Sequence, residues 1–474
     1  MNKLESTKAT KMIFWSGIAM GLQSCINFLT MPIFTRILST SDYGLYTTFV
    51  SWQAILSLII TLSLQASINT AAYDYKQEFD GFISSILFLG EITIILAYLV
   101  LVLLQQMQKI RMQNEILQGY LFLSIGMDYA IKLYTISRRF LYQYQIPLII
   151  TLTILVVGII NSFLLIGIMP KQKHMGRILG ANSGTIVIGF CVLVYLINKG
   201  KKIINLNMWK YGLHFGIPNI FHSFGMQILN HADRVMVERL VSSEAAALYT
   251  VPYTLCTIIT TVWSSITPAL VPLFFSKFEE KEYSDITELT KNILFFIFLV
   301  VVTFVTFAPL IIRIMAGEQY LKSLGTIPAI ASGIYFQCVY TFYVILETHH
   351  RKPVYIALCT SIVAAINIAL NAVFICLYGY AAAAYTTLFC YFLLSLMHGV
   401  VCKIIERTYT YPIWYMYKLG IICLVICFVV GKLYNKVFII FCGYMALLIV
   451  AYILKKQQVL ELINIFLNRK REEV

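Results

Sequence analysis

Runs of about twenty apolar residues recur along the whole chain, and they constrain its fold more than any other feature. Each run is long enough to cross a hydrocarbon core of about 30 Å. Only 12% of the residues are charged, whereas a soluble domain carries roughly a quarter. Inside a bilayer only helices and closed barrels satisfy the backbone, and these runs lack the alternation of barrel strands. The sequence therefore predicts an all-α polytopic membrane protein.

Hydropathy predicts about 14 transmembrane helices. The predicted spans lie near 12–35, 44–72, 82–104, 117–137, 146–169, 178–198, 212–237, 245–275, 291–312, 325–346, 354–377, 381–402, 416–433 and 437–454. The longest hydrophilic connection, 276–291, is too short for a soluble domain. We therefore expect a chain that consists almost wholly of membrane helices.

Lysine and arginine are distributed unevenly over the predicted loops. With the N-terminus in the cytoplasm, that side holds 23 of the 36 basic residues, the other side holds 11, and two lie within spans. The positive-inside rule then predicts that both termini are cytoplasmic. The net charge of +14 is explained by this topology. Because the basic residues are dispersed over short loops, they do not predict nucleic-acid binding.

Signals for processing, metals and nucleotides are absent from the sequence. Lys3, Lys8 and Lys11 precede the first apolar run as in a signal peptide, but no small-residue cleavage site follows, so we expect an uncleaved first helix. The eleven cysteines are mostly isolated within spans, which predicts buried apolar residues and no disulfide framework. No phosphate-binding loop and no HExxH pair occurs. We therefore expect no cofactor.

A shift of 203 residues superposes one stretch of the chain on another. Residues 26–47, INFLTMPIFTRILSTSDYGLYT, align with residues 229–250, LNHADRVMVERLVSSEAAALYT. The same shift places the first span over the seventh, and the fifth-to-sixth junction resembles the eleventh-to-twelfth. The repeat predicts two pseudo-symmetric six-helix bundles, as in transporters. We expect bundles at 1–202 and 203–410, followed at 411–474 by two additional helices and a basic tail.

Polar residues form stripes on the second and eighth spans, which are mates in the repeat. The second span carries polar side chains at intervals of four, namely Gln53, Ser57, Thr61, Gln65 and Asn69. The eighth span carries Thr250, Thr254, Thr257, Thr261 and Ser265. Such spacing puts each set on one helix face. For any single residue, hydrogen bonding between helices is the alternative, but two stripes in register favour helices that line a wet cavity.

Ionisable residues in the first predicted bundle need an explanation, because charge is costly in the membrane core. Asp128, Lys132 and Arg139 share one face of the fourth span. Asp128 and Lys132 either neutralise each other or serve a substrate, and the sequence leaves both alternatives open. Glu91 lies alone in the third span.

The seventh span is unusually polar for a membrane helix. Asp233 and Arg234 are sequence neighbours, so their side chains point about 100° apart and need not pair. Arg36 and Arg239 lie near the outer ends of the first and seventh spans. An arginine at such a position reaches the lipid headgroups at little cost. Taken singly, each of these two arginines is explained by that position without any ligand.

Four phrases, in chain order, together carry a family resemblance. They are PIFTRILSTSDYGLY, ADRVMVERLVSSEAAALYTVPYTL, ITPALVPLFFSKF and HHRKPVYIALCTSIVAAINIALNAVFICLYGYAAAAYTT. The phrases resemble parts of Wzx-type polysaccharide flippases. In the same order, these parts are the first helix and turn, the Asp-Arg helix with the start of the eighth helix, the proline-ended eighth helix, and the eleventh and twelfth spans. Those flippases belong to the multidrug/oligosaccharidyl-lipid/polysaccharide (MOP) exporter superfamily. One departure is 245–247, three alanines where that family often has a glycine.

The resemblance implies a MATE-like fold with a cationic central cavity and alternating access. It implies a transporter, not an enzyme, that moves undecaprenyl-pyrophosphate-linked oligosaccharide repeat units across the bacterial cytoplasmic membrane. The product would serve lipopolysaccharide O-antigen or capsule biosynthesis. The implied partners are the lipid-linked oligosaccharide, the lipid bilayer, and a polysaccharide polymerase with its chain-length machinery, with no nucleic acid and no nucleotide.

The resemblance also suggests roles for the polar residues within the spans. The planar fork of arginine suits a diphosphate. The leading candidates for diphosphate binding are Lys132, Arg139 and Arg234, and the weaker ones, nearer the outer exit, are Arg36, Arg239 and Arg313. The candidates for sugar binding are Gln53, Gln65 and Asn69. The candidates for charge balance or ion coupling are Asp128, Asp233 and Glu91.

Two other functions remain as alternatives. A multidrug/cation antiporter of the same superfamily would favour acidic and aromatic residues in its cavity, whereas the charges within the spans are mixed. A membrane-embedded glycan polymerase or ligase usually presents a large extracytoplasmic loop, whereas every predicted outer loop is short.

Overall fold

The computed structural model describes residue 28 and residues 30–107, 115–141, 143, 145–406 and 410–453, which are almost wholly helical. No strand occurs among them. Two 3₁₀ segments, Leu64–Ser67 and Glu318–Thr326, interrupt the α-helices. The helices of this part of the chain are α1 (30–37), α2 (Thr40–Ile60), α3 (Ile68–Asp74), α4 (Phe79–Gln106), α5 (Glu115–Phe140), α6 (Gln145–Ile168), α7 (Lys173–Gly200), α8 (Leu206–Leu240), α9 (Ser243–Glu279), α10 (Tyr283–Met315), α11 (Ile327–His349), α12 (Pro353–Tyr378), α13 (Ala381–Ile405), α14 (Ile413–Lys432) and α15 (Val437–Ile453).

These helices confirm the predicted fold class. Each of the fourteen predicted spans overlaps at least one helix, although most of the first span lies outside the described residues. Ten helices in the described part of the chain are long and apolar enough to cross a membrane. The helices α5 and α8, which carry most of the predicted site charges, fall outside that set. The count of fourteen is compatible with the structure and stays a prediction.

The second predicted span, 44–72, is not one helix. Helix α2 ends at Ile60, and the backbone then passes through left-handed conformations at Leu62 and Ser63. Helix α8 packs against this break, where Asn219 donates a hydrogen bond of 2.7 Å to the Ser63 hydroxyl. Because the helix is interrupted, the polar stripe predicted from Gln53 to Asn69 does not continue along one face.

The buried apolar residues form two clusters, and we call the helices around each the first and the second bundle. The first cluster lies between Phe49 and Met208 and is built mainly from α4 and α5, with residues of α2, α3 and α7. The second is built mainly from α8 to α14. It also includes Met31 and Phe34 of α1 and Tyr43 of α2. Hence the first helices of the chain bridge the two bundles, and α14 packs against α10 and α11.

The repeated stretch forms two matching helix hairpins, α1–α2 and α8–α9. The side chain of Ser39 caps α2 by accepting a hydrogen bond from the backbone N–H of Asp42. The side chain of Ser242 caps α9 by accepting one from the backbone N–H of Ala245. Both pairs are separated by 203 residues, so the two caps are equivalent. Serine is a favoured N-cap residue because its oxygen satisfies a free N–H of the first turn.

These two hairpins meet at one end of the molecule, which we call the hairpin end. It contains the connections at 38–39 and 241–242 and the segment 316–326. Helix α2 approaches α9 so closely that a Cβ atom at Gly44 would lie 1.7 Å from the Ser243 carbonyl oxygen. Arg36 donates a hydrogen bond of 2.7 Å to the Ile314 carbonyl, and Gln319 donates one of 2.7 Å to the Thr35 carbonyl. These contacts close the hairpin end between the bundles.

Replacing Gly44 by alanine should weaken this closure, because the new methyl group collides with backbone that has little freedom to move. Over-packing of this kind costs about 1–3 kcal/mol. We expect the Gly44→Ala protein to have a lower Tm and a larger distance between spin labels placed on the 38–39 connection and the 316–326 segment.

Gly167→Ala is the matched control, since nothing lies within 4 Å of a Cβ atom built at Gly167. Equal Tm values and equal label distances for the two variants would show that the approach at Gly44 does not hold the hairpin end closed.

Candidate functional site

Helix α9 changes its environment along its length. From Ala245 to Tyr253 every residue is buried, because α9 is enclosed there by both bundles. Beyond Thr257 one face becomes exposed, and Ser264, Ser265 and Pro268 lie on it. Helix α9 is therefore enclosed at the hairpin end and partly exposed farther on, with serine residues on the exposed face. We call the end of the helices away from the hairpin end the opposite end.

The hydroxyl groups on this face of α9 bind their own helix. Thr257, Thr261 and Ser265 donate to the carbonyls of Thr254, Thr257 and Thr261, at 2.5, 3.0 and 2.8 Å. They therefore do not connect α9 to a neighbouring helix, which was the alternative explanation of the stripe. Their oxygen lone pairs remain available as hydrogen-bond acceptors.

The three predicted sugar-binding residues lie in different environments. Gln53 donates hydrogen bonds of 3.2 Å to Ser124 and to Asn182, so it connects α2 with α5 and α7 inside the first bundle. The side-chain oxygen of Gln65 is buried and has no partner among the described residues. Asn69 is exposed on the short helix α3. The break after α2 separates these three residues.

The predicted charges of α5 form a local pair and an exposed arginine. Lys132 lies 2.6 Å from Asp128, which is the first of the two alternatives left open by the sequence. Both side chains are partly exposed, 48% for Lys132 and 32% for Asp128, so the pair is not sealed in the core. Arg139 is exposed at the opposite end. Its neighbour Arg138 is the buried one, 3.4 Å from Asp80.

Glu91 lies in α4 against the backbone of α5. One of its carboxyl oxygens would be 2.7 Å from a Cβ atom at Gly126, and the other is buried with no partner among the described residues. A glycine at position 126 thus makes room for the carboxyl group. The structure describes no cation paired with Glu91, in contrast to Asp128.

Asp233 of α8 is the centre of a buried polar cluster in the second bundle. Tyr249 and Thr387 each donate a hydrogen bond of 2.6 Å to one carboxyl oxygen. Asn371 donates one of 2.6 Å to the other. Asp233 is only 1% exposed, so three neutral donors from α9, α12 and α13 hold this carboxyl group. As the sequence indicated, Arg234 is not its hydrogen-bond partner.

Arg234 is buried, at 9% exposure, without a carboxylate partner among the described residues. One Nη atom lies 3.1 Å from His231 Nδ1, and the guanidinium lies over the ring of Tyr253 at 4.8 Å. Its Nε–H has no partner in this part of the chain. A buried guanidinium with unused donors is poised to receive an anion.

Arg177 of α7 is a similar residue that the sequence did not single out. It lies over the rings of Phe34 at 3.6 Å and Tyr46 at 4.7 Å, and it donates a hydrogen bond of 2.7 Å to Ser162. Its Nε–H is buried without a partner among the described residues. In the sequence it looked like one more basic loop residue, because the rings that contact it are more than 130 positions away. The only sequence signal for Arg177 was the presence of aromatic residues in the stretch that contains Arg36.

Helix rise places Arg177 and Arg234 at a similar depth. Arg177 is four residues into α7, and Arg234 is six residues before the end of α8. At 1.5 Å per residue, both lie within about 10 Å of the hairpin end. Tyr43, at the start of α2, is within electrostatic reach of both guanidinium groups. The pair, which we call the arginine pair, therefore lies just beneath the closed hairpin end, with one arginine from each bundle.

Lys132 and Arg139 lie farther from the hairpin end. Lys132 is eight residues and Arg139 one residue from the end of α5 at the opposite side. Since α5 is 26 residues long, Arg139 is separated from Arg234 by a large part of the membrane thickness. These three predicted diphosphate candidates therefore cannot contact one diphosphate together in this conformation.

The remaining predicted arginines lie at the surface of the hairpin end. Arg36 binds backbone carbonyls, as described above. Arg239 lies 3.6 Å from Glu238, its sequence neighbour, and Arg313 lies 3.9 Å from Glu318. The side chains of Arg239 and Arg313 are largely exposed. These positions agree with contacts to lipid headgroups. The described residues contain no cluster of three or more His, Cys, Asp or Glu side chains that could hold a metal ion.

The Asp233→Ala substitution should destabilise the protein much more than Asp128→Ala. Without the Asp233 carboxylate, three buried donors lose their acceptor, and each unsatisfied group costs about 1–3 kcal/mol. An exposed ion pair one helical turn apart contributes about 0.3–0.5 kcal/mol. Thermal unfolding in detergent measures both variants. Equal losses of Tm for the two variants would show that the Asp233 cluster does not stabilise the fold more than the Asp128–Lys132 pair does.

One protein-family model matches the chain, over most of its first half and part of its second half. The model of a family described as polysaccharide biosynthesis protein matches residues 9–278, which is more than half of the chain. No curated protein sequence matches the chain.

Solved structures of transporters share the fold. The chain is similar to the lipid II flippase MurJ in an inward closed conformation, with 18% identity and a TM-score of 0.68, over 94% of this chain and 100% of that one. It is also similar to a multidrug resistance MATE family transporter of the MOP superfamily in an inward-facing conformation, with 13% identity and a TM-score of 0.55, over 81% and 99%. A MATE transporter in complex with MaL6 gives 12% identity and a TM-score of 0.55, over 84% and 97%. At these identities the similarity concerns the fold.

Proposed function

Because the chain belongs to the polysaccharide biosynthesis protein family, we propose that it is a flippase for undecaprenyl-pyrophosphate-linked oligosaccharide repeat units. The family match and the fold shared with solved transporter structures support the predicted membrane transporter of the MOP superfamily. The substrate is the proposal. The observation that carries it is the arginine pair, two cations beneath the closed hairpin end that have no carboxylate partner among the described residues.

The chemistry of the arginine pair fits a lipid-linked diphosphate. Arg177 and Arg234 retain N–H donors that no described residue accepts. A guanidinium can hold two phosphate oxygens at once, and in a site shielded from water such contacts strengthen. The aromatic rings next to each arginine keep its position without neutralising its charge. A substrate that brings two negative charges would complete the site.

The polar face of α9 fits the sugars of the same substrate. In this proposal the exposed face of α9 beyond Thr257 borders a crevice between the bundles, and its hydroxyl oxygens line that crevice. Sugar hydroxyls can donate to these oxygens and to Asn69. Gln53 is engaged with Ser124 and Asn182, so we assign it to the first bundle's internal packing and keep Gln65 and Asn69 as the sugar candidates.

Alternating access follows from the two ends of the molecule. Contacts between the bundles close the hairpin end, and in this proposal the crevice opens at the opposite end. With the predicted orientation, in which both termini are cytoplasmic, this conformation accepts substrate from the cytoplasm. Lys132 and Arg139, which lie towards the opposite end, would then meet the diphosphate as it enters, before the arginine pair. Opening of the hairpin end would release the lipid past Arg36, Arg239 and Arg313.

The acidic residues receive different roles in this proposal. Asp128 balances Lys132 while the crevice is empty. Asp233 lies one position from Arg234 and is held by three neutral donors, which makes it the candidate for charge balance or ion coupling in the second bundle. Glu91, without a described cation, is the corresponding candidate in the first.

The cellular location, the domain boundaries and the use of the product are also part of this proposal. We place the protein in the bacterial cytoplasmic membrane, with the bundles at 1–202 and 203–410 and the additional helices at 411–474. Its product would serve O-antigen or capsule assembly, handed to a polysaccharide polymerase and chain-length machinery. A multidrug/cation antiporter is the competing function, and it is disfavoured because the two charged groups beneath the closed hairpin end that lack a carboxylate partner, Arg177 and Arg234, are cations.

Substitution of either member of the arginine pair tests the site. Arg177→Ala and Arg234→Ala should each reduce the export of repeat units by about tenfold or more, since each removes a charge-assisted contact with the diphosphate. The lysine variants should retain part of the activity, because they keep the charge and lose the planar fork. Surface polysaccharide produced by a complemented deletion strain measures the effect.

Lys322→Ala is the control, since Lys322 is an exposed cation at the same end of the molecule. Normal export by a stably expressed Arg234→Ala protein would remove Arg234 from the site, and the same result for Arg177 would remove Arg177.

The function itself is tested in the deletion strain without complementation. We expect lipid-linked repeat units to accumulate on the cytoplasmic face of the membrane. If those units reach the outer face at the normal rate, or if the strain instead becomes sensitive to cationic drugs, the flippase assignment is wrong.

A further inference from the structure

A groove on the exposed side of the second bundle is separate from the site described above. It lies between the last nine residues of α12 and the first nine of α13, which places it at the hairpin end. Its volume is about 570 Å³. Two aromatic rings on each helix form its walls, and these are Phe374, Tyr378, Tyr385 and Phe389, all of them exposed. Because both helices are long and apolar enough to cross a membrane, the groove faces the lipid.

The protein itself fixes the walls and the floor of this groove. The rings of Phe374 and Tyr378 stack with their centroids 6.2 Å apart, and the ring of Tyr385 packs against Phe428 of α14 at 5.9 Å. The floor includes Ala382, which is buried and has only a methyl group as its side chain. A groove whose walls are in place before a ligand arrives loses little conformational freedom on binding.

The surface of the groove is almost wholly apolar. Its buried polar residue, Thr386, donates a hydrogen bond to the side-chain oxygen of Asn371, and Asn371 donates one to Asp233. The hydroxyl group of Thr386 is therefore directed into the Asp233 cluster. An ordered water molecule needs two to four polar partners, and a buried sugar or charged group likewise needs polar partners. The groove therefore suits hydrocarbon.

The dimensions of the groove suit a single hydrocarbon chain better than a helix of another protein. Nine residues of helix span about 12 Å, so the mean cross-section of the groove is about 50 Å². A helix with its side chains is about 10–12 Å in diameter and occupies at least about 80 Å². Since α12 and α13 pack directly against each other, a third helix would lie over this groove and would not fill it. An extended chain that is one carbon atom wide fits inside it.

Stiffness and shape decide which hydrocarbon chain the groove prefers. Lipid tails are as apolar as the groove, so burial alone does not select between chains, whereas close packing does. A polyprenyl chain has a double bond and a methyl branch in each of its units, so it is stiffer and broader than a straight acyl chain. A stiff chain loses less conformational entropy in a groove with fixed walls, and its methyl groups can pack against the four aromatic rings.

We propose that this groove binds the polyprenyl chain of a lipid carrier, in the leaflet at the hairpin end. The identity of the chain rests on the proposed function. Two hydrogen bonds connect the floor of the groove with Asp233, the neighbour of Arg234, so α12 and α13 border the chain on one side and hold the polar cluster on the other. A lipid that leaves the arginine pair past the hairpin end enters the leaflet in which its chain meets this groove.

Photo-crosslinking of the full chain in liposomes tests the site. The liposomes consist of phosphatidylethanolamine and phosphatidylglycerol, and they contain tritiated undecaprenol, an uncharged polyprenyl alcohol. The photoreactive residue p-benzoylphenylalanine replaces Phe374 in the groove, and in a control protein it replaces Phe441. Phe441 is exposed outside the groove. It lies four residues from the hairpin end of α15, just as Phe374 lies four residues from that end of α12, so both positions report at a similar depth.

We expect at least about tenfold more labelling from position 374 than from position 441, because the chain packs closely in the groove. Excess unlabelled undecaprenol should suppress this labelling, and octadecanol, a straight-chain alcohol, should not. Ala381→Phe, which fills the groove, should reduce the labelling to the level of position 441. Ala372→Phe, at an exposed position of α12 outside the groove, should leave it unchanged.

Equal labelling at both positions, or equal suppression by octadecanol, would identify ordinary boundary lipid and overturn the proposal. A cross-link from position 374 to a second protein chain would overturn it as well. Undecaprenol carries no diphosphate, so a negative result leaves the assignment of the arginine pair untouched. Specific labelling at position 374 in a protein that does not export repeat units would instead contradict the flippase function, while the chain-binding groove would stand.

Discussion

At the hairpin end, the backbones of α2 and α9 approach so closely that the Ser243 carbonyl occupies the space where a side chain at position 44 would begin. The rest of the architecture depends on this approach. It brings the first helices of each bundle into one interface and encloses the first third of α9. Small residues permit such contacts in membranes, where apolar burial does not drive association.

The distribution of satisfied and unsatisfied polar groups separates structure from function. Asp233 is deeply buried and fully provided with donors, which is how a stable core treats a carboxyl group. Arg177 and Arg234 are held by aromatic rings and retain donors that no described residue accepts. A core built only for stability would pair these charges or replace them. Both arginines lie beneath the closed hairpin end, one on α7 and one on α8, and the proposed function assigns them to the diphosphate of the substrate.

Much of the fold was predictable because its signals are local in sequence. Twenty-residue apolar runs define most helices, and the repeat predicted equivalent hairpins, which the matching caps at Ser39 and Ser242 confirm. The interruption after Ile60 was missed, since it depends on α8, which packs against Ser63 from more than 150 residues away. The site was less predictable for the same reason. Lys132, Arg139 and Arg234 look alike as charges within or near spans, and only the three-dimensional arrangement separates them by depth. Arg177 is recognisable as a candidate only from its contacts with Phe34 and Tyr46, which are distant in sequence.

The claim that most needs testing is that the arginine pair binds the diphosphate of a polyprenyl lipid. Native mass spectrometry can compare the binding of undecaprenyl diphosphate with that of the uncharged undecaprenol, for the unmodified protein and for the Arg177→Ala/Arg234→Ala double variant. We predict at least about tenfold tighter binding of the diphosphate lipid by the unmodified protein, as expected for the loss of one or two charge-assisted contacts, and no preference in the double variant. Equal binding of both lipids by the unmodified protein, or an unchanged preference in the double variant, would contradict the assignment.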